Sequence, residues 1–274
     1  MNSSSGESIA GVFLCGKSYC RQKRFRCASL VLWNASLWYT YYNWDYYRVI
    51  AGWGFSTNYT RGTFMIIFDL DGTLWDSSVQ VADSWNIVIE KEVGKEHTLT
   101  SEDIMRYMGM TMTEIADRHF GYLPEEQRYD LSHKCEVFEN DYITEHGGVL
   151  FEGVEETLKK LKDRGVKMAV VSNCQEGYVK AFLDSMDMWK YFDDYEEWGR
   201  TMLLKADNIK LVMERNNEPK SIYVGDIQKD SDASHKAGVD CIWAAYGFGE
   251  INDAVAKIDS FDELPAVLEE LGYI

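Results

Sequence analysis

Residues 65–73 constrain the fold of this 274-residue chain more than any other segment. Four apolar residues of the kind found in buried strands, MIIF, lead directly into Asp69 and Asp71, and Gly72 then allows a tight turn. A strand that is apolar on both faces is typical of a parallel sheet covered by helices. Ligands of such sheets bind beyond the carboxyl ends of the strands, so both carboxylates should face one crevice. Because close carboxylates repel each other, we expect either a divalent cation beside them or a proton on one of them.

Charge is unevenly distributed along the chain. Residues 1–64 hold seven of the 28 Lys and Arg residues but only two of the 45 Asp and Glu residues, so the remainder is strongly acidic. An acidic main part argues against a nucleic-acid partner.

The six cysteines include no C-x-x-C pair and no histidine at metal-ligand spacing, which argues against a zinc site and indicates free thiols. We therefore predict a cytoplasmic protein.

Residues 1–64 also differ in composition from the rest of the chain. A basic patch at 17–26 is followed by an uncharged segment at 27–44 that is rich in Trp and Tyr. Polar residues interrupt this segment, and Trp and Tyr prefer the membrane surface to the bilayer core, so a spanning helix is not expected. We predict that 1–64 is an extension, disordered or not native to the protein, and that no membrane is involved.

The pattern of apolar residues predicts an α/β core interrupted by helices. Helical spacing occurs at 78–93, 101–108, 112–120 and 124–145, and no convincing strand lies among these segments. From Gly153 onward helices alternate with strands at 166–171, 221–224 and 239–245. Such repeats predict a parallel sheet with right-handed crossovers. The predicted core therefore comprises 65–78 and 148–274, and the predicted helical cap comprises 79–147.

Polar residues follow each of the three clearest strands of the predicted core. In chain order they are Asp69 and Asp71, Ser172 and Asn173, and Asp226 with Asp230 one helical turn later. Because parallel strands end at the same edge of a sheet, we expect these side chains to be neighbours. Lys205, at the start of a predicted helix, is the candidate cation for that edge.

These positions, in this order, resemble the four motifs of the haloacid dehalogenase superfamily of phosphohydrolases. The matching motifs are Asp69-x-Asp71-Gly72-Thr73, Ser172-Asn173, Lys205 and Gly225-Asp226-x-x-x-Asp230. The resemblance covers 65–274. The helical insertion directly after the first motif is similar to that of the phosphoglycolate phosphatase and β-phosphoglucomutase branch. This resemblance implies a Rossmann-like α/β core with an inserted α-helical cap of the C1 type.

The resemblance also implies a role for each motif residue. Asp69 would attack phosphorus and form an aspartyl-phosphate, and Asp71 would serve as general acid and then general base. Mg²⁺ would be the cofactor, held by Asp69, the backbone carbonyl of Asp71, and Asp226. The remaining roles would be phosphoryl binding by Ser172, Asn173 and Lys205, orientation of Lys205 by Asp230, and support of the loop through hydrogen bonds of Thr73.

The predicted function is a Mg²⁺-dependent phosphatase, a monomer or homodimer, acting on a small phosphate ester that is phosphoglycolate-like or a sugar phosphate. A phosphosugar mutase is the nearest alternative on the same fold, although Thr73 favours hydrolysis. A phosphonate hydrolase would need a cap lysine, for which Lys91, Lys95 and Lys134 are candidates. A non-catalytic binding protein docked by residues 1–64 is an alternative of a different class, and the intact motifs argue against it.

The cap also offers candidates for substrate contact. Relatives place a cap loop opposite the phosphate where this chain has residues 108–111, Met-Gly-Met-Thr, and Arg106 and Arg118 lie close to that loop in sequence. We expect specificity to reside in the cap.

Overall fold

The computed structural model describes residues 64–274, and the expectations for residues 1–63 lie outside this range. The strands are β1 (Met65–Phe68), β2 (Trp75–Asp76), β3 (Val149–Leu150), β4 (Lys167–Ser172), β5 (Asp194–Glu197), β6 (Ser221–Gly225), β7 (Asp240–Ala244) and β8 (Ala256–Ile258). The helices are α1 (Ser78–Glu92), α2 (Ser101–Tyr107), α3 (Met112–His119), α4 (Glu125–His146), α5 (Val154–Asp163), α6 (Tyr178–Ser185), α7 (Trp198–Thr201), α8 (Lys205–Asn216), α9 (Gln228–Ala237) and α10 (Leu264–Glu270). Short 3₁₀ helices occupy Lys95–His97 and Phe261–Glu263.

Six strands form one parallel sheet in the order β5-β4-β1-β6-β7-β8. β1 lies between β4 and β6 and is fully buried, which explains its continuous apolar sequence. Ile66 and Phe68 face one apolar core, shared with α5, α6 and α10, whereas Met65 and Ile67 face another, shared with α8 and α9. Helices therefore cover both faces, and ligands can reach the sheet at the carboxyl ends of its strands.

The helices α1 to α4 form an insertion between β2 and β3. These two short strands pair in antiparallel fashion, Trp75 with Leu150 and Asp76 with Val149, where the chain leaves and re-enters the core. α1 packs along α4, and α4 also packs against α6 of the core. The insertion therefore rests on the core next to the carboxyl ends of β1 and β4.

The predicted α/β class with a Rossmann-like parallel sheet is confirmed. The division into domains at 78/79 and 147/148, and the role of the insertion as a cap, stay predictions. Phe64, assigned above to the extension, is buried and its ring centroid lies 5.4 Å from that of Tyr273.

Within residues 64–274, no helix is long and apolar enough to span a membrane. The three cysteines of this range, Cys135, Cys174 and Cys241, are buried free thiols.

Candidate active site

The candidate site lies where β1, β4 and β6 end side by side. Asp69 follows β1, Ser172 and Asn173 stand at the end of β4, and Asp226 follows β6. The register of β1 with β6 pairs Phe68 with Val224, and the Asp69 N–H donates to the Val224 carbonyl at 2.8 Å. Sheet pairing thus brings together residues that are more than 150 positions apart in sequence.

One lysine is buried among three carboxylates at this edge. Lys205, the first residue of α8, places its Nζ 2.9 Å from Asp69 Oδ1 and 2.6 Å from Asp230 Oδ1. A carboxylate oxygen from each of Asp69, Asp226 and Asp230 lies within 4.8 Å of the others. Burial alone would lower the pKa of Lys205, but the charges of Asp230 and Asp69 outweigh it and hold that pKa well above its usual value.

This cluster carries more acid than its lysine can balance. Burial, together with the charge of Asp230, raises the pKa of Asp69 to about 7 although Lys205 opposes the shift. Burial and the same neighbouring carboxylates hold the pKa of Asp226 well above its ordinary value. An excess of buried carboxylate at a ligand-binding edge is the electrostatic condition that a bound cation relieves.

The oxygen atoms of the cluster fit a divalent metal ion. Asp69 Oδ1 accepts a hydrogen bond from Lys205 Nζ at 2.9 Å, and Asp226 Oδ2 accepts one from the Phe248 N–H at 2.8 Å. Oδ1 of Asp226 accepts no hydrogen bond from the described residues, and the Leu70 backbone N–H also lies close to the Asp69 carboxylate and lowers its pKa. Both oxygens of Asp230 are engaged, one by Lys205 and the other by two backbone N–H groups at 3.2 Å. Asp69 and Asp226 are therefore the carboxylates that are free to bind a hard cation such as Mg²⁺.

Asp71 stands apart from this cluster. Its Oδ1 accepts hydrogen bonds from Trp75 Nε1 at 2.9 Å, Ser77 Oγ at 2.7 Å and Tyr178 O–H at 3.0 Å. Burial raises the pKa of Asp71, although these three donors oppose the shift. A carboxyl group fixed through one oxygen can exchange a proton with a ligand through the other. The predicted metal contact of Asp71 would use its backbone carbonyl, and it stays a prediction.

Thr73 contributes to the loop through its backbone. Its N–H donates to the Leu70 carbonyl at 3.2 Å, and its carbonyl accepts from Tyr246 O–H at 2.8 Å. The Thr73 hydroxyl is buried and has no hydrogen-bond partner among residues 64–274. Any support that Thr73 gives to the loop in this structure therefore comes from its main chain.

A cavity of about 60 Å³ extends from this edge into the insertion. Asp71, Ser172 and Asn173 line its core end, and Asn173 Nδ2 donates to the Gly109 carbonyl at 3.2 Å. The other lining residues are Val81, Trp85, Ile104, Tyr107, Met108, Gly109, Met110, Met112, Ile115, Glu139, Cys174, Gln175 and Tyr178. The loop at 108–111 therefore does face the site, whereas Arg106 and Arg118 are not among the lining residues.

Sequence reasoning missed Glu139 of α4, which lies in the wall of this cavity. The Glu139 side chain is buried and accepts a hydrogen bond from Trp85 Nε1. Burial raises the pKa of Glu139 to about 8. Leu131, Cys135 and Ile143 form a buried stripe on α4 at four-residue spacing, and Glu139 occupies the remaining position of that stripe. An acid at an apolar stripe position is a signal that could have identified it.

Comparison with known proteins decides the family. The family described as haloacid dehalogenase-like hydrolase matches residues 66–244. The chain belongs to this family. This hydrolase is 31% identical over 196 residues to a phosphoglycolate phosphatase of Pseudomonas syringae, covering 67% of this chain and 70% of the relative. It is 30% identical to the phosphoglycolate phosphatase of Aquifex aeolicus, covering 70% and 89% of the two chains.

Solved structures support the same fold. A haloacid dehalogenase-like family protein of Streptococcus pneumoniae superposes with a TM-score of 0.65 at 20% identity, covering 76% of this chain and 99% of the other. CbbY from Rhodobacter sphaeroides, solved in complex with phosphate, gives a TM-score of 0.62 at 18% identity, with 73% and 95% covered. Family membership and the phosphatase relatives together make this chain a phosphatase, a phosphoric monoester hydrolase.

Gly72→Ala is expected to reduce the activity of this hydrolase by about 10²-fold or more. A Cβ at Gly72 would lie 2.2 Å from Asp226 Oδ2, and this glycine has a φ of +82°. The added methyl group would push the Asp226 carboxylate out of the cluster.

Gly165→Ala is the matched control, because Gly165 has a φ of +76° but nothing within 4 Å of the added carbon. Both variants should lose roughly 1 kcal/mol or more of stability from backbone strain, whereas only Gly72→Ala should lose turnover. Equal turnover in the two would contradict this role of Gly72.

Proposed function

We propose that this hydrolase releases phosphate from a small phosphorylated metabolite, with Mg²⁺ as cofactor and an aspartyl-phosphate on Asp69 as intermediate. The observation that carries the proposal is the buried Lys205, paired with Asp69 and Asp230 beside Asp226. A single fixed ammonium next to carboxylates that can hold a divalent cation suits the binding of a phosphoryl group. The phosphoglycolate phosphatases among its relatives support a small phosphate ester as substrate.

In the first step an oxygen of the Asp69 carboxylate attacks the phosphorus atom. A bond forms between this oxygen and phosphorus, and the bond from phosphorus to the alcohol oxygen of the substrate breaks. The departing alkoxide takes the proton of the Asp71 carboxyl group and leaves as a neutral alcohol. The raised pKa of Asp71 suits this role, because burial favours its protonated form.

In the second step water hydrolyses the aspartyl-phosphate. Asp71, now a carboxylate, accepts a proton from the water molecule as its oxygen attacks phosphorus. The bond between phosphorus and the Asp69 oxygen breaks, which restores the Asp69 carboxylate and releases inorganic phosphate. Trp75, Ser77 and Tyr178 keep the Asp71 carboxyl group in one orientation through both steps.

The other site residues hold the transferring group and its charge. Lys205 would bind a phosphoryl oxygen while Asp230 fixes its ammonium, and Ser172 and Asn173 would donate further hydrogen bonds. Asp69, Asp226 and the backbone carbonyl of Asp71 would hold Mg²⁺. When bound, Mg²⁺ neutralises charge on the phosphoryl oxygens and on the carboxylates.

The lining of the cavity favours hydrolysis of a phosphate ester over phosphonate chemistry. No lysine is among the described residues that line it. Lys134 forms ion pairs with Glu92 and Asp130 on the surface, and Lys95 pairs with Glu90. None of the candidate lysines Lys91, Lys95 and Lys134 is therefore among the described residues that line the cavity, which supports a phosphate ester as substrate. We also propose that the protein is cytoplasmic and that it is a monomer or a homodimer.

Phosphate release by the full-length protein tests the proposed function. We expect Mg²⁺-dependent release from at least one small phosphate ester, loss of release on addition of a chelator, and recovery when Mg²⁺ is returned in excess. Acid quenching during turnover should trap one phosphoryl group on the peptide that contains Asp69. Turnover that is insensitive to chelation, or a phosphoryl group on another peptide, would contradict the mechanism.

A further inference from the structure

The cavity next to the reaction edge has an unusual charge pattern. Its described lining includes two carboxyl groups, those of Asp71 and Glu139, and no Lys, Arg or His side chain. The rest of the wall is made of aliphatic side chains, methionines, aromatic rings and uncharged polar groups. A leaving group that carries a carboxylate would therefore meet two acids and no cation in this wall.

Arg106, Arg118 and His119 of the insertion are not among the described residues that line the cavity, although two of them contact the wall residue Tyr107 from behind. Arg118 lies over the ring of Tyr107, 5.6 Å from its centroid, and Arg106 is an exposed partner of Asp103 at 2.7 Å. The two ring nitrogens of His119 lie 3.3 Å from the Tyr107 hydroxyl and 3.2 Å from the His97 carbonyl. The positive charge that would balance Glu139 is thus absent from the described wall.

Glu139 is a buried acid that has a neutral hydrogen-bond donor and no cation among the described residues of the wall. Trp85 Nε1 donates to one of its oxygens, and the neutral Gln175 side chain lies close enough to lower its pKa. Burial raises the pKa of Glu139 to about 8, and the charges of Asp71 and Glu136 add to this shift, so the carboxyl group favours its protonated form in the absence of a cation. A cation supplied by a ligand would favour the charged form and gain a charge-assisted hydrogen bond.

We infer that the substrate is an aminoalkyl phosphate, a small phosphate ester whose leaving group ends in an ammonium that Glu139 binds. This inference rests on the proposed function and names its substrate class. The phosphate end would lie at Lys205, and the ammonium end would lie among Glu139 and the aromatic rings of the wall, which also attract cations. A cavity of about 60 Å³ has room for roughly four atoms the size of a water molecule, which suits a two-carbon amino alcohol.

Three phosphate esters of the same two-carbon length test the inference directly. They are 2-aminoethyl phosphate, 2-hydroxyethyl phosphate and phosphoglycolate, which differ in ending in an ammonium, a hydroxyl or a carboxylate. With the full-length protein and Mg²⁺, we expect kcat/KM for the amino ester to exceed that for the hydroxy ester by at least about tenfold. We expect kcat/KM for the amino ester to exceed kcat/KM for phosphoglycolate by at least about a hundredfold. The ammonium gains a contact with Glu139, whereas the carboxylate of phosphoglycolate meets the acids Glu139 and Asp71.

Glu139→Gln identifies the residue responsible. The amide keeps the shape of the side chain and can still accept from Trp85, but it cannot become negatively charged. We expect this variant to lower the ratio of kcat/KM for the amino ester to kcat/KM for the hydroxy ester by at least about tenfold. Glu145→Gln is the matched control, because Glu145 lies exposed on the same helix. It should keep the wild-type ratio of the two esters.

The wild-type comparison decides the inference even if the Glu139 variant fails to fold. Equal or higher efficiency with the hydroxy ester or with phosphoglycolate would overturn it, as would no measurable turnover of the amino ester. A Glu139→Gln protein that is folded and keeps the wild-type preference would also overturn it. Release of phosphate from another ester, such as p-nitrophenyl phosphate, in any of these cases would leave the proposed phosphatase function intact. Absence of release from every ester would instead contradict both.

Discussion

Asp69→Asn is expected to lower phosphate release by at least about 10⁴-fold while the protein stays folded. The amide has nearly the shape of the carboxylate but is a poor nucleophile, so no aspartyl-phosphate can form. Stability should not fall, because burial and the charge of Asp230 raise the pKa of Asp69 to about 7. A raised carboxyl pKa means that the folded state binds the proton more tightly than the unfolded state, so ionisation of Asp69 at neutral pH destabilises the fold. Asparagine removes that penalty.

Two further Asp→Asn variants make this result specific. Asp163→Asn changes an exposed partner of Lys159 on α5 and should leave both turnover and stability unchanged. Asp230→Asn keeps the nucleophile but loosens Lys205, so we expect an intermediate loss, on the order of 10- to 10³-fold. Stopped-time phosphate assays and thermal unfolding of the three variants provide the comparison. Residual turnover of Asp69→Asn within about tenfold of wild type would show that Asp69 is not the nucleophile.

The centre of the sheet could be predicted because its strands are buried on both faces. β1, β4, β6 and β7 read as continuous apolar segments, and each was predicted to within two residues at either end. The edge strands β5 and β8 were not predicted, because an edge strand is paired on one side only and needs little apolar sequence. β5 reads DYEE, and its acids are stabilised by tertiary ion pairs of Arg215 with Asp194 and Glu196. Such pairs join distant segments and leave no local pattern.

The candidate site could be predicted where strand ends determine position. Parallel pairing alone requires Asp69, Ser172 and Asp226 to share an edge, and the structure places them there. The donors that hold Asp71 could not be predicted in this way. Tyr178 is 107 positions away and reaches Asp71 from the start of α6, so the contact depends on how helices pack over the sheet. The contact of Asn173 with the Gly109 carbonyl likewise depends on how the insertion docks.

The position of Lys205 has energetic consequences beyond catalysis. Its ammonium is the cation paired with both Asp69 and Asp230, and its side chain is only 4% exposed. Removing this lysine leaves buried carboxylates without their cation, which is far more destabilising than removal of an exposed pair, whereas neutralising Asp69 leaves Lys205 paired with Asp230. Asp226 also shares this environment, because burial and the charges of Asp230 and Asp69 raise its pKa. Lys205 therefore balances a cluster that would otherwise repel itself.

Lys205→Met is expected to lower the free energy of unfolding by about 3–5 kcal/mol in the presence of a chelator. It should also lower turnover by at least about 10²-fold, because a phosphoryl oxygen loses its fixed cation. Lys159→Met is the matched control: its pair with Asp163 is exposed, and stability should change by less than about 0.5 kcal/mol. Lys205→Arg keeps the charge but not the compact ammonium, so it should recover part of the stability and little of the turnover. Denaturant unfolding and phosphate release measure both effects. A Lys205→Met protein as stable as the Lys159→Met control would show that the three carboxylates do not depend on this lysine for their burial.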